Sequence, residues 1–190
     1  MRPAMRIVAG RLRGLRLADV GRGDEAARLR PTPDRVRESL FNVLTQGARG
    51  DSVAGRRVLD LFAGTGALGL EALSRGAARA AFVETGAPAL ALIARNVALA
   101  RAQGETEVIR RDAARLGPNP GPPYDLIFLD PPYGQGLGER ALAAAGAGGW
   151  LAPGALIAWE EGAEIAAPAG MRPLEARRYG ATTVTLIEAP

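Results

Sequence analysis

The chain has 190 residues, 47% of them hydrophobic and 23% charged, which suits one globular domain with room for a short appendage. It contains no Cys and no His, which excludes disulfides, thiolate zinc sites, Ser-His-Asp and Cys-His hydrolases, and methyl transfer to pyrimidine carbon through an attacking Cys. The formal net charge is +4, and every basic residue is Arg.

That positive charge is concentrated near the start. Within residues 1–37, ten Arg stand against Asp19, Asp24, Glu25 and Asp34, a net of +6, and the remainder is mildly acidic at −2. A basic arm on an acidic body suits a polyanion, because Arg neutralising phosphates supplies most sequence-independent nucleic-acid affinity. The candidate phosphate contacts are Arg11, Arg13, Arg16, Arg30, Arg35 and Arg37. Met1 to Arg6 carries positive charge with no apolar run behind it, so no signal peptide is expected. No stretch approaches the ~20 apolar residues of a membrane span, and a cytoplasmic protein is expected.

In chain order, Arg6-Ile7-Val8-Ala9 and Leu15-Arg16-Leu17 alternate around Gly10 and Gly14, which predicts a small β-hairpin with Arg on its exposed face. Residues 19–30 are polar and predict a mobile loop. In Arg30-Pro31-Thr32-Pro33-Asp34, Thr32 can N-cap a helix, Pro33 can take its first position and Asp34 favours the positive end of its dipole. The helix is predicted over 33–46, with Val36, Leu40, Val43 and Leu44 as its apolar stripe and Arg35, Arg37 and Glu38 off it. Residues 1–46 therefore read as a basic N-terminal extension and 47–190 as the main domain.

From there the pattern becomes regular. Strands are predicted at 58–62, 80–84, 107–110, 124–130 and 155–159, and helices at about 66–75, 87–102 and 138–146. The helix at 87–102 carries Leu90, Ile93, Val97 and Ala100 on one face. Segments near 172–178 and 182–188 alternate around Tyr179-Gly180 as an antiparallel pair. Near-continuous apolar strands separated by helices imply an α/β fold, a mostly parallel, doubly wound sheet with an antiparallel C-terminal edge.

Gly64-Thr65-Gly66-Ala67-Leu68-Gly69 matches G-x-G-x-x-G after a strand and at the opening of a helix. There the glycines admit a ligand to the backbone and the helix N-terminus offers free N–H groups. Glu84 closes the next strand, where a carboxylate can accept both ribose hydroxyls of a nucleoside. Loop and Glu84 fit a dinucleotide and S-adenosylmethionine equally. Asp60, inside the first strand, suits a cationic ligand better, since it would repel a pyrophosphate. Asp112 can accept from an adenine amine, or it can cap a turn at 113–116. Glu71, Glu160 and Glu161 read as solvated charges.

Asp130-Pro131-Pro132-Tyr133 ends the apolar run Asp125-Leu126-Ile127-Phe128-Leu129. Neither proline donates an N–H, so the chain must leave the sheet with rigid, exposed carbonyl oxygens. A carboxylate, those carbonyls and an aromatic face suit a planar group bearing an amine, which can donate to Asp130 and the Pro131 carbonyl and stack on Tyr133.

Asp60-Leu61-Phe62-Ala63-Gly64-Thr65-Gly66, then Glu84, Asp112 and Asp130-Pro131-Pro132-Tyr133 resemble the ordered motifs of S-adenosylmethionine-dependent amino-methyltransferases. More narrowly, Arg6-Ile7-Val8-Ala9-Gly10, Gly14-Leu15-Arg16-Leu17 and the run from Arg30-Pro31-Thr32-Pro33-Asp34 to Asn42 resemble the bacterial family that methylates a guanine N2 in small-subunit (16S) ribosomal RNA. The resemblance implies a Rossmann-like class I methyltransferase with a seven-stranded sheet. It implies S-adenosylmethionine held by Asp60, Phe62, Gly64, Gly66, Glu84, Asp112 and Ala113, no metal, and a catalytic Asp130, Pro131, Pro132 and Tyr133. The implied partner is ribosomal RNA within a partly assembled small subunit, and the expected state is a monomer. Three rivals stand beside it. A DNA adenine-N6 methyltransferase would share the D-P-P-Y chemistry but normally adds a target-recognition domain. An NAD-dependent oxidoreductase usually needs a Tyr/Lys pair or a His as proton donor, and the chain has neither Lys nor His. An RNA-binding module without catalysis would not need an intact Asp130, Pro131 and Tyr133.

Overall fold

The computed structural model describes residues 5–18 and 33–190. Helix α1 (Asp34–Gln46) is followed by alternating strands and helices: β1 (Arg57–Leu61), α2 (Ala67–Ser74), β2 (Arg79–Val83), α3 (Ala87–Ala100), β3 (Thr106–Ile109), β4 (Tyr124–Leu129), α4 (Leu137–Ala147) and β5 (Leu151–Glu161). The hairpin β6 (Arg172–Tyr179) and β7 (Thr182–Glu188) completes the chain. Short 3-10 turns at Gln103–Glu105 and Ala113–Arg115 flank β3.

The seven strands of the described residues join one sheet in the order β3-β2-β1-β4-β5-β7-β6, parallel from β3 to β5 and antiparallel beyond. This is the doubly wound sheet with an antiparallel C-terminal edge that the strand pattern predicts. The order reverses between β1 and β4, whose ends lie side by side: Asp60 pairs with Phe128 and Leu61 with Leu129. Ligands of such sheets bind beyond the strands' C-terminal ends at that reversal. The first three strands start and stop one residue earlier than the apolar runs suggest, because Arg57, Arg79 and Thr106 already join the ladder. Glu84 thus stands just past β2. Strand β5 begins at Leu151, well before the predicted 155, and a register shift against β4 between Tyr124 and Leu126 accommodates Pro153 and Gly154.

One face of the sheet is covered by α1, α2 and α3, with Phe41, Leu44, Leu70, Phe82, Ile93 and Phe128 in a shared core. The other is covered by α4, over Ile127, Leu142 and Trp159. The Phe41 and Phe128 rings stand 5.5 Å apart, which seats α1 on β4. Met5, Ile7 and Leu17 join the same cluster, so the N-terminal extension shares the core of the sheet.

The predicted hairpin is present in short form. Arg6 and Arg16 form an isolated antiparallel bridge, and the Ile7 and Leu17 N–H groups donate to Leu15 and Met5 carbonyls, each at 2.9 Å. Gly10 (φ +79°) passes so close to α2 that an added Cβ would stand 1.9 Å from the Ser74 carbonyl oxygen, which admits glycine alone. The helix begins one residue later than predicted, with Pro33 as its N-cap residue and no side-chain cap bond. Thr32, Arg30 and the predicted loop at 19–30 lie outside the described residues. The apolar stripe is also rotated: the buried face of α1 is Arg37, Leu40, Phe41 and Leu44. No described helix is long and apolar enough to cross a membrane.

Candidate active site

The sheet sets out the motif residues as a row along one edge. Asp112 follows β3, Glu84 follows β2, Phe62 to Gly66 follow β1, and Asp130 to Tyr133 follow β4. Glu84 grips the glycine loop. Its Oε2 accepts from the Gly64 N–H at 3.0 Å, and its Oε1 accepts from Thr85 and Gly86 at 2.7 and 2.8 Å. Gly64 (φ +55°) and Gly66 (φ +76°) take the left-handed conformation that the loop requires. Phe62 takes it too, at φ +62°. A non-glycine residue there costs ~1–2 kcal/mol, a strain that gathers at ligand sites.

Asp60 is 1% exposed beneath this loop, and its Oδ2 accepts from the Gly69 N–H at 3.0 Å, which ties the first turn of α2 to β1. Burial pushes its pKa from 3.8 up to about 8; the Gly69 bond lowers it and the Glu84 charge raises it further. Asp112 is exposed, and its Oδ1 caps the following turn through the Ala114 N–H at 2.9 Å, with Ala113 buried beside it. The capping reading of Asp112 is thus realised with one carboxylate oxygen of two.

Strand β4 stops at Leu129, where the prolines begin. Asp130 is half-buried, Pro131 buried and Pro132 exposed. Tyr133 is half-buried, its hydroxyl donating to Glu160 Oε1 at 2.9 Å and lying 3.2 Å from Thr182 Oγ1. Burial raises the Tyr133 pKa, with the charges of Glu160 and Asp130 adding to it and Thr182 opposing, so the hydroxyl stays a neutral donor. Glu160 is 7% exposed and Glu71 fully buried, so neither is the solvated charge that the sequence suggests.

The side chains of this edge fit a nucleoside that carries hydroxyl and amine donors: Glu84, Asp112 and Asp130 are carboxylates, which a pyrophosphate would meet with repulsion, and Asp60 lies buried beneath them. Residues 5–188 match the family described as conserved hypothetical protein 95. The chain belongs to that family. It is 38% identical over 164 residues to ribosomal RNA small subunit methyltransferase D of Escherichia coli, covering 86% of this chain and 78% of that one. The protein of the same name from Haemophilus influenzae is 36% identical over 156 residues, 80% of this chain and 76% of that one. Among solved structures, a putative methyltransferase of Escherichia coli superposes with a TM-score of 0.80 at 35% identity over 98% of both chains. An RNA methyltransferase of Salinibacter ruber, crystallised with S-adenosyl-L-homocysteine, shares the fold at a TM-score of 0.62 and 15% identity, over 85% of this chain and 94% of that one. This member of the family is a methyltransferase with the class I fold.

The arginines of the extension divide. Arg37 is 0% exposed and bonds the Arg6 carbonyl, Asp34 Oδ1 at 2.8 Å and, at 3.8 Å, Glu71. It is a structural latch and not a phosphate contact, since its guanidinium is sealed inside the protein. Glu71 draws it inward, accepting also from the Val8 and Ala9 N–H groups and from Arg75 Nε at 2.9 Å. Arg11, Arg13, Arg16 and Arg35 are exposed. Arg11 and Arg13 sit at the hairpin turn, where Arg11 donates to Ser74 at the end of α2 and pairs with Glu105 before β3. Both neighbours mark the edge opposite the carboxylate row. Arg35, in the first turn of α1, stands at the carboxylate edge, where Ser39 donates to Tyr179 at the end of β6.

Sequence reasoning missed Glu160 and Thr182 behind Tyr133. It also missed Asn96 on α3, fully buried, which accepts from the Ala18 N–H and donates to the Ala18 and Thr65 carbonyls, tying the extension to the cofactor loop. Its signal was legible: a polar residue inside an apolar helical face. A cavity of about 310 Å³ lined by Arg57, Arg79, Tyr124 and Trp150 opens at the opposite edge and contains none of the motif residues.

Proposed function

We propose that this chain transfers the methyl group of S-adenosylmethionine to the exocyclic N2 of a guanine in small-subunit ribosomal RNA, acting as a monomer on a partly assembled subunit. The observation that carries the reading is the placement of Asp130-Pro131-Pro132-Tyr133 directly beside the cofactor loop, on adjacent parallel strands. The relatives named as small-subunit ribosomal RNA methyltransferases, the basic extension and the N-terminal motifs support the RNA and the base.

When bound, the cofactor supplies an electrophilic methyl on a sulfonium. The protein's task is to present a nucleophile, and an aryl amine is a poor one because its lone pair is delocalised into the ring. Asp130 and the Pro131 carbonyl accept the two amine protons and favour a pyramidal nitrogen, its lone pair turned toward the cofactor side. Tyr133 stacks on the flipped base, a contact worth ~1–3 kcal/mol. The spare amine proton leaves to solvent after transfer, which needs no His or Cys. Glu84 takes the ribose hydroxyls, Asp112 and Ala113 the adenine, and Asp60 braces the loop from below through the Gly69 N–H.

The test is transfer of labelled methyl groups to naked ribosomal RNA, to small subunits lacking the modification, and to DNA, followed by mapping of the modified base. Labelled guanine N2 is expected; adenine labelling in DNA would sink the assignment. Asp130→Ala is expected to abolish turnover and leave cofactor affinity within about threefold. Parallel loss of both would contradict the role given to Asp130.

A further inference from the structure

We propose that Glu160 is a positioning residue for the target base, acting through Tyr133, with Thr182 as its second fastening. The inference rests on the reading that Tyr133 stacks on the base. Glu160 lies near the end of β5 and Thr182 at the start of β7, so two neighbouring strands converge on one phenol hydroxyl. That hydroxyl has a single proton, which goes to the Glu160 carboxylate at 2.9 Å. The 3.2 Å hydrogen bond is therefore donated by Thr182 to the phenol oxygen. A bond to a carboxylate is charge-assisted and directional, and the Glu160 carboxylate that accepts it is buried.

The ring is held along its side as well. A Cβ on Gly162 would stand 3.4 Å from Tyr133 Cδ2, so the ring lies against the backbone that continues from β5. With its far end tied and one side seated, the ring plane is set before RNA arrives. A residue needed only to fill space behind Tyr133 would be apolar, because sealing a carboxylate at 7% exposure is costly unless its bonds are used. Stacking affinity depends on ring orientation, so a fixed plane reduces the ordering cost of binding the flipped base.

Steady-state kinetics with small subunits lacking the modification test this. Glu160→Ala is expected to raise KM for the subunit about tenfold, with KM for S-adenosylmethionine within about twofold of wild type. Glu160→Gln, whose amide oxygen still accepts from Tyr133, is expected to restore most of the loss. Thr182→Val, a milder change, should shift KM in the same direction. In a Tyr133→Phe background neither Glu160→Ala nor Thr182→Val should change KM for the subunit further. Equal effects in both backgrounds, or a joint rise in both KM values, overturn the inference. A Tyr133→Ala variant with an unchanged subunit KM overturns the stacking reading and this inference with it. A Tyr133→Ala defect without coupling to Glu160 overturns the inference alone.

Discussion

A carboxylate sealed under a glycine loop titrates against its surroundings. Burial, chiefly, carries the Asp60 pKa from 3.8 to about 8. A folded-state value above the unfolded one means that folding favours the protonated form. The contribution of Asp60 to stability is therefore complete below about pH 4 and lost as pH rises through about 8. Asp60→Asn keeps an oxygen for the Gly69 N–H and cannot ionise. Its melting temperature relative to wild type is expected to climb steadily across that window, and a difference independent of pH would refute the assignment. The position of Asp60 and its burial beneath the loop were readable from its place inside the strand, four residues before Gly64. Its partner, the Gly69 amide, was not, because the loop's turn sets where the α2 backbone closes over it.

At the scale of the element, α1 shows how a charged residue can defeat a periodicity argument. Counting apolar positions puts Arg37 outside, yet Arg37, Leu40, Phe41 and Leu44 form the buried stripe. A buried carboxylate from α2, Glu71, makes burial of Arg37 tolerable, and Arg75 completes the group while lying 4.9 Å over the Phe41 ring. Arg37→Ala should cost ~3 kcal/mol in urea unfolding, because it strands part of a buried network. Arg35→Ala, two residues away and exposed, should stay within ~0.5 kcal/mol and weaken RNA binding instead. The reverse pattern would mean that the two roles are exchanged. The stretch from Pro33 to Asn42, which resembles a family motif, thus mixes residues that hold the extension down with residues that face solvent.

At the scale of the whole molecule, the exposed arginines of the described extension are spread between the two sheet edges, Arg11 and Arg13 opposite the carboxylates and Arg35 at the carboxylate edge. RNA that touches both groups must extend from one edge to the other. Neutralising Arg16 and Arg35 together is expected to flatten the dependence of log affinity on log salt by ~1.5, since each phosphate that an Arg no longer neutralises removes ~0.7–0.9 from the slope. Cofactor affinity should be unchanged. Arg11→Ala with Arg13→Ala should weaken binding of whole subunits and spare a short stem-loop bearing the target base. An unchanged salt slope in the first pair would remove the extension from the RNA interface.

The order of elements, the antiparallel edge, the glycine loop, Glu84 and the D-P-P-Y exit were all determined by the sequence itself. Each depends on something local: a period of two or of 3.6, a glycine that permits a positive φ, a proline that ends a ladder. The pairing of β1 with β4, which sets the cofactor loop against Asp130, is not fixed by the alternation of strand and helix, which several strand orders satisfy. Only the tertiary structure decided that pairing, and which charges besides Asp60 are interior. Arg37, Glu71 and Glu160 look like surface residues until α2 meets the extension and β5 meets the D-P-P-Y loop. Whether a charge can be buried depends on partners brought from elsewhere in the chain, and no local pattern encodes those partners.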